Sequence, residues 1–384
     1  MLKNQSLLKG PAMTTGQQAK ESRDHHQPAM PAPFMRAVVQ EAYGSAEMLH
    51  EARIPRPSMA DNEVLVKVVA AGLDRGTWHV TRGLPYAVRL AYGFRAPRNP
   101  VPGLDLAGTV EAVGSKVTRF VVGDQVFGSG KGSFAEFAPA RENQLAHKPA
   151  GISFEEAAAV PVSACTALMA LRAAGIQPNA AGIQPASGGI HSHSGRADKE
   201  PKVLITGASG GVGSFAVQLA KAAGAEVTGV ASTAKLDLVR VLGADHVIDY
   251  TTQDFAGVGG RDAAGGAPRY DVIIDIAGNP SVSRLRRALT PSGTAVITGG
   301  EEGGSWTGSL DRQLRAVMLS PFIKQRLTMI LGAQSAADLE YLAGLLDAGT
   351  IAPAIDRTYP LVQVPEAMRY FDGGKARGKV VITI

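Results

Sequence analysis

The apolar run Val203-Leu204-Ile205-Thr206 leads into Ala208-Ser209-Gly210-Gly211-Val212-Gly213, and apolar residues then recur at helical spacing at Phe215, Ala216, Leu219 and Ala220. A second apolar run, Ala225-Glu226-Val227-Thr228-Gly229-Val230-Ala231, follows the helix. Strand, glycine turn, helix and strand in that order make a βαβ unit of about 30 residues, which confines this stretch to a parallel sheet. Glycines keep such a turn tight and leave its main chain bare. A diphosphate can then approach the orphan N–H groups and the positive dipole end of the helix. The first glycine of the usual GxGxxG pattern is Ala208 here, so the reading rests on the order of elements more than on the glycines. It predicts a dinucleotide held by Ser209, Gly210, Gly211, Val212 and Gly213.

The end of the second strand selects the cofactor. In NAD-binding units an Asp or Glu about 20 residues past the glycines accepts hydrogen bonds from the ribose. Here the chain reads Val230-Ala231-Ser232-Thr233-Ala234-Lys235. Glu226 stands at the start of the strand, too early to reach the ribose. With no carboxylate to repel a 2′-phosphate, Ser232 and Thr233 can donate hydrogen bonds and Lys235 a charge-assisted one, which predicts NADPH. The alternative is that Ser232 and Thr233 only cap the next helix and Lys235 is solvated.

With 384 residues there is room for two domains. Hydrophobic residues are 45% and charged residues 19%, and no apolar stretch reaches the ~18 to 20 residues that cross a bilayer. The net charge of +5 is scattered and aromatic residues are only 5%, which argues against nucleic-acid binding. A single cysteine, Cys165, excludes an internal disulfide and suits a reducing compartment. Residues 1–34 are polar and rich in Gln, Ser, Pro and Met, as in a disordered tail. Glu21 and Asp24 and the lack of an amphipathic period argue against a transit peptide, so the cytoplasm is expected.

From Met35 to about residue 150 the chain shows short strand-like runs separated by Gly and Pro turns, a mostly β body. From 151 to 300 strands alternate with helical patterns, which means a parallel sheet. The nearly continuous apolar run from Tyr270 to Gly278 reads as a strand covered on both faces. Ligands of open α/β sheets lie at the carboxyl ends of strands, so the loops from Asp275 to Gly278 and from Thr298 to Gly300 should border a nicotinamide, with Gly278 and Gly299 as contacts. Residues 174–200 repeat Ala-Gly-Ile-Gln-Pro and continue into a Ser-, Gly- and His-rich run, read as a flexible insertion. His191 and His193 lack further ligands, and no metal site is expected there.

Further segments add to this pattern: Gly103-Leu104-Asp105-Leu106-Ala107-Gly108-Thr109-Val110, Gly123-Asp124-Gln125-Val126-Phe127-Gly128, Ile152-Ser153-Phe154-Glu155-Glu156-Ala157-Ala158-Ala159-Val160-Pro161, Leu242-Gly243-Ala244-Asp245-His246-Val247-Ile248-Asp249-Tyr250 and Gly378-Lys379-Val380-Val381-Ile382. With the glycine turn, they resemble the medium-chain dehydrogenase/reductase superfamily, in its zinc-free quinone oxidoreductase branch, over residues 35–384. The resemblance implies an α/β fold: a GroES-like β-rich catalytic domain from 35–150 and 301–384, a Rossmann doubly wound parallel-sheet domain over 151–300, and an active site in the cleft between them. Zinc-dependent relatives carry Gly-His-Glu where this chain has Gly103-Leu104-Asp105, and a cysteine where it has Leu73-Asp74. One cysteine cannot build either zinc site. A zinc-type alcohol dehydrogenase is therefore kept only as an alternative.

Without a Lewis acid, the implied chemistry is hydride delivery from NADPH to a small quinone or α,β-unsaturated carbonyl. The resemblance places residues 73–78 at the nicotinamide, with Asp74 and Trp78 as catalytic candidates. Against this, Asp74 can cap the backbone and Trp78 can be core packing. It also brings Thr166, Tyr250 and Lys379 to the cofactor. Here too there are alternatives, a back-bond for Thr166 and a solvated edge charge for Lys379. Cys165 reads as a buried structural thiol. The acceptor would be chosen by residues 82–99, with Tyr86, Tyr92 and Phe94, and by 301–322. An NADPH-binding structural or regulatory protein with little turnover, and a reductase of thioester enones, are the other readings. No nucleic-acid or membrane partner is expected, and a homodimer like those of relatives is compatible with the chain.

Overall fold

A computed structural model describes residues 34–178, 200–257, 269–299, 304–308, 310–330 and 334–384. The expectations for the tail before residue 34, for 179–199 with His191 and His193, and for Gly300 fall outside these residues.

The glycine turn sits in a six-stranded parallel sheet whose strands, in chain order, are Lys202–Thr206, Glu226–Ala231, His246–Asp249, Tyr270–Asp275, Leu289–Ile297 and Arg326–Met329. Their spatial order is third, second, first, fourth, fifth, sixth. The winding reverses between the first and fourth strands, and the crevice at their carboxyl ends is where this architecture takes a ligand. Both faces of the sheet are covered. Val203, Ile205 and Ile274 pack under the helices Pro161–Ala173, Gly211–Ala222 and Ala336–Asp347. Leu204, Ile273 and Ala295 pack with Leu285 and Ala316 on the other side. This double burial explains the unbroken apolar strands of the sequence.

A second, mixed sheet of seven strands is built from both ends of the described chain. Its long central strand Glu63–Leu73 pairs antiparallel with Asp105–Val113, with Phe137–Arg141 and with the last strand Lys379–Thr383. Ile355–Pro360 lies parallel to that last strand.

Two expected boundaries shift. The β-rich part does not resume at 301, because Arg326–Met329 pairs in parallel with Leu289–Ile297 and completes the parallel sheet. Nor is the start of the insertion loose. Ile176 is buried, its N–H bonds Leu171 O at 2.9 Å, and Tyr341 Oη donates to Pro178 O. Ile176 and Pro178 are thus anchored in the folded body, by burial that their repeat-like composition hides.

Candidate functional site

The glycine turn owes its shape to three close approaches. Gly207 adopts φ +66°, a conformation that favours glycine, and a Cβ there would lie 2.6 Å from that of Ala277. A Cβ at Gly213 would lie 2.1 Å from Gly207 O, so this glycine lets the helix Gly211–Ala222 press against the first strand. At Gly211 a Cβ would come within 2.9 Å of Lys379 Cδ and 3.0 Å of Ser163 Oγ. Ala208 is tolerated at the first glycine position of the pattern because Gly207 takes the left-handed conformation one residue earlier. Ala208 itself is buried, and its N–H bonds Val230 O at 3.1 Å. Gly210 caps the helix without a side chain, so its first N–H groups receive no side-chain cap. Val212 packs against the core, and Ser209 O accepts from Gly378 N–H at 2.8 Å. That bond pins the last strand of the mixed sheet to the turn.

Lys379 follows directly, and the structure corrects the reading of it as a solvated edge charge. It is 1% exposed, and its Nζ donates to Asp105 Oδ2 at 3.1 Å. The other carboxylate oxygen of Asp105 accepts from Val162 N–H at 2.9 Å. Burial pushes the Asp105 carboxyl up to about 7; Lys379 pulls against this and Asp74 adds to it. A buried carboxylate, its cation and the glycine turn therefore form one cluster.

The two catalytic candidates each have a protein partner. Asp74 caps the helix Arg75–Arg82, its two oxygens accepting from Thr77 N–H at 2.8 Å and Thr77 Oγ1 at 3.0 Å. Trp78 donates its indole N–H to Asp372 Oδ1 at 2.9 Å and stacks with Arg75 and Arg82. Asp74 thus takes the capping role that is its alternative reading, and Trp78 ties its helix to Asp372. Thr166 back-bonds to Val162 O at 2.6 Å. Cys165 is buried, and its thiol is pushed well up by that burial.

At the carboxyl ends of the second and third strands, Ser232 is half-buried and Tyr250 is exposed. Lys235 Nζ donates to Gly374 O and Ala376 O, both at 2.8 Å. Thr233 Oγ1 donates to Asp249 Oδ2. Asp249, at the end of the third strand, is buried, and hydrogen bonds from Thr233 and Thr251 hold its carboxyl below the usual range. Local sequence reading missed it because the two strands meet only in the sheet.

At the other end of the crevice Asp275 is fully buried, with Oδ1 accepting from Thr206 Oγ1 at 2.9 Å and Oδ2 from Arg312 Nη1 at 2.6 Å. Gly278 adopts φ +81°, and Gly299 O accepts from Arg312 Nη2 at 2.7 Å. Above these loops Tyr86 N–H bonds Ser305 O at 2.8 Å, and its ring meets that of Trp306 edge-on at 5.3 Å. Tyr92 and Phe94 are exposed nearby in the chain.

Residues 60–168 match the family described as alcohol dehydrogenase GroES-like domain, and residues 242–382 match zinc-binding dehydrogenase. The chain is 32% identical over 360 residues to a chloroplast envelope quinone oxidoreductase homolog of Arabidopsis thaliana, covering 92% of this chain and 99% of the relative. It is 31% identical over 360 residues to a mitochondrial NAD(P)H oxidoreductase of Mus musculus, covering 84% of this chain and 82% of that one. Among solved structures, the quinone oxidoreductase from Coxiella burnetii shares the fold, with a TM-score of 0.74 at 24% identity, over 91% of this chain and 99% of that one. The chain belongs to the medium-chain dehydrogenase/reductase superfamily, in its quinone-oxidoreductase-like branch, and is an oxidoreductase. The described residues offer no ligand set for the zinc of the family description. Among the described residues no three His, Cys, Asp or Glu side chains gather to hold a metal, and Asp105 and Asp74 are each committed to protein partners.

Proposed function

We propose that this chain is a zinc-independent, NADPH-dependent reductase of small quinones or α,β-unsaturated carbonyls. One observation carries the reading: a helix start with no side-chain cap, at whose N-cap Gly210 a Cβ would meet only Gly207 O at 3.4 Å, so that the main chain there is bare. Such a cradle suits a diphosphate, whose charge is favoured by free N–H groups and a helix dipole. When bound, a reduced nicotinamide supplies the hydride. The chain's own part is to hold and align. Residues 209–213 would take the diphosphate, with the buried Lys379–Asp105 pair beneath them, Thr166, Gly278 and Gly299 the nicotinamide side, and Ser232, Lys235 and Tyr250 the 2′-phosphate. An acceptor already poor in electrons needs little more than this alignment. The names of the relatives support a quinone acceptor and a nicotinamide donor.

The test compares oxidation of NADPH and NADH by the parent and by Lys235→Asp against a panel of quinones and conjugated enones. The parent should prefer NADPH, and the variant should lose at least part of that preference. Equal use of both cofactors by the parent would refute the NADPH assignment. Tight binding without reduction of any acceptor would identify a binding protein instead. A lone thiol suits a reducing compartment, and we place the chain in the cytoplasm; a fluorescent fusion that collects in plastids or mitochondria would refute that placement.

A further inference from the structure

One buried guanidinium outside the glycine turn reaches three segments at the carboxyl ends of the strands. Arg312 projects from the helix Leu310–Leu319, with its side chain 10% exposed. Its Nη1 donates to Asp275 Oδ2 at 2.6 Å and to Pro280 O at 3.0 Å, and its Nη2 donates to Gly299 O at 2.7 Å. The network continues through Asp275. Thr206 Oγ1 donates to Asp275 Oδ1 at 2.9 Å and accepts from Ile276 N–H at 3.0 Å. Thr298 donates to Asp275 O through both its N–H and its hydroxyl, each at 2.9 Å. The first, fourth and fifth strands of the parallel sheet are thereby tied together just where each gives way to its loop.

We propose that Arg312 is a positioning residue for hydride transfer, fixing through Asp275, Pro280 and Gly299 the two loops that flank the nicotinamide half of the site. The inference rests on the cofactor reading above. Packing alone does not explain the residue. Ala316, on the same helix, is buried in the apolar core with Leu327, and a buried ion pair is commonly no more stabilising than an apolar group of similar volume. What the guanidinium adds is direction. Its planar fork holds several acceptors at fixed angles, whereas a lysine offers one ammonium on a flexible stem. Its two backbone acceptors, Pro280 O and Gly299 O, both lie in loops rather than in a strand ladder. Because Gly207 packs on Ala277, displacing the loop after the fourth strand also shifts its distance from the glycine turn, which sets donor against acceptor.

The test uses the full chain as parent, as Arg312→Lys and as the uncharged pair Asp275→Asn/Arg312→Met. ADP, which carries adenosine and diphosphate but no nicotinamide, probes the turn. Single-turnover oxidation of bound NADPH by a quinone probes the loops. In Arg312→Lys, ADP affinity should stay within about twofold of the parent, while the hydride-transfer rate should fall about 10- to 100-fold, as a misplacement of about 1 Å produces. The double variant, which leaves no buried carboxylate without its cation, should fold and show the same split. Parent-like turnover in either variant overturns the proposal. So does an equal loss of ADP binding and turnover, the mark of general loosening. A parent that binds ADP but neither reduced nicotinamide overturns the cofactor reading itself, and this inference with it.

Discussion

Replacing Lys379 by Met would expose the electrostatics beneath the glycine turn. In the parent, burial raises the Asp105 carboxyl to about 7 against the pull of Lys379. A carboxyl whose folded pKa exceeds its unfolded value binds its proton more readily in the folded state. Its contribution to stability therefore declines as pH climbs from the ordinary carboxyl range to about 7, and is flat above. Methionine fills much of the space of the lysine stem but brings no charge, so the folded carboxyl keeps its proton to higher pH and the decline continues past 7. If the variant stays protonated through about pH 8, the extra proton uptake integrated from about pH 6 to about pH 8 amounts to about one pH unit, or about 1.4 kcal/mol. Urea unfolding at both ends of that range measures it. The stability gap between parent and Lys379→Met should widen by about 1.4 kcal/mol toward the alkaline end, on top of a pH-independent packing loss. Adding Asp105→Asn to the variant should abolish the widening. A gap that is constant with pH, or larger at the acid end, would refute the coupling of Lys379 to Asp105.

The two glycines of the helix start should separate binding from folding. Gly211→Ala meets two buried side chains rather than backbone, Lys379 Cδ at 2.9 Å and Ser163 Oγ at 3.0 Å; it should lose about 1 kcal/mol of stability and bind cofactor about 10-fold more weakly by fluorescence titration. Gly213→Ala meets backbone, with Gly207 O at 2.1 Å, and should lose roughly 1 to 3 kcal/mol of stability in denaturant titrations. Asp74→Ala should cost about 0.5 to 2 kcal/mol as a lost helix cap while leaving kcat at saturating substrate unchanged. A large fall in kcat would return Asp74 to the chemistry.

What could be read from the chain in advance follows the range of the forces involved. The glycine turn, the βαβ order and the doubly covered run before Gly278 are local signals, because each depends on residues close in sequence, and the parallel sheet shows them. Charged residues gave no such signal. In the sequence Arg312 looks like any arginine on a polar helix face and Lys379 like an edge lysine, yet each is buried against a carboxylate distant in the chain, Asp275 and Asp105 respectively. A local reading gives surface and interior cations the same appearance, since only the tertiary partner makes burial tolerable. The same limit hid Asp249 beside Thr233 and the bond from Trp78 to Asp372, both of which join residues far apart in the chain. The two buried pairs also occupy the two places an elongated dinucleotide would need held, the diphosphate cradle and the nicotinamide-side loops. Each pair costs desolvation that an apolar core would avoid. That cost is intelligible when a fixed backbone position, rather than stability alone, is what the side chains provide.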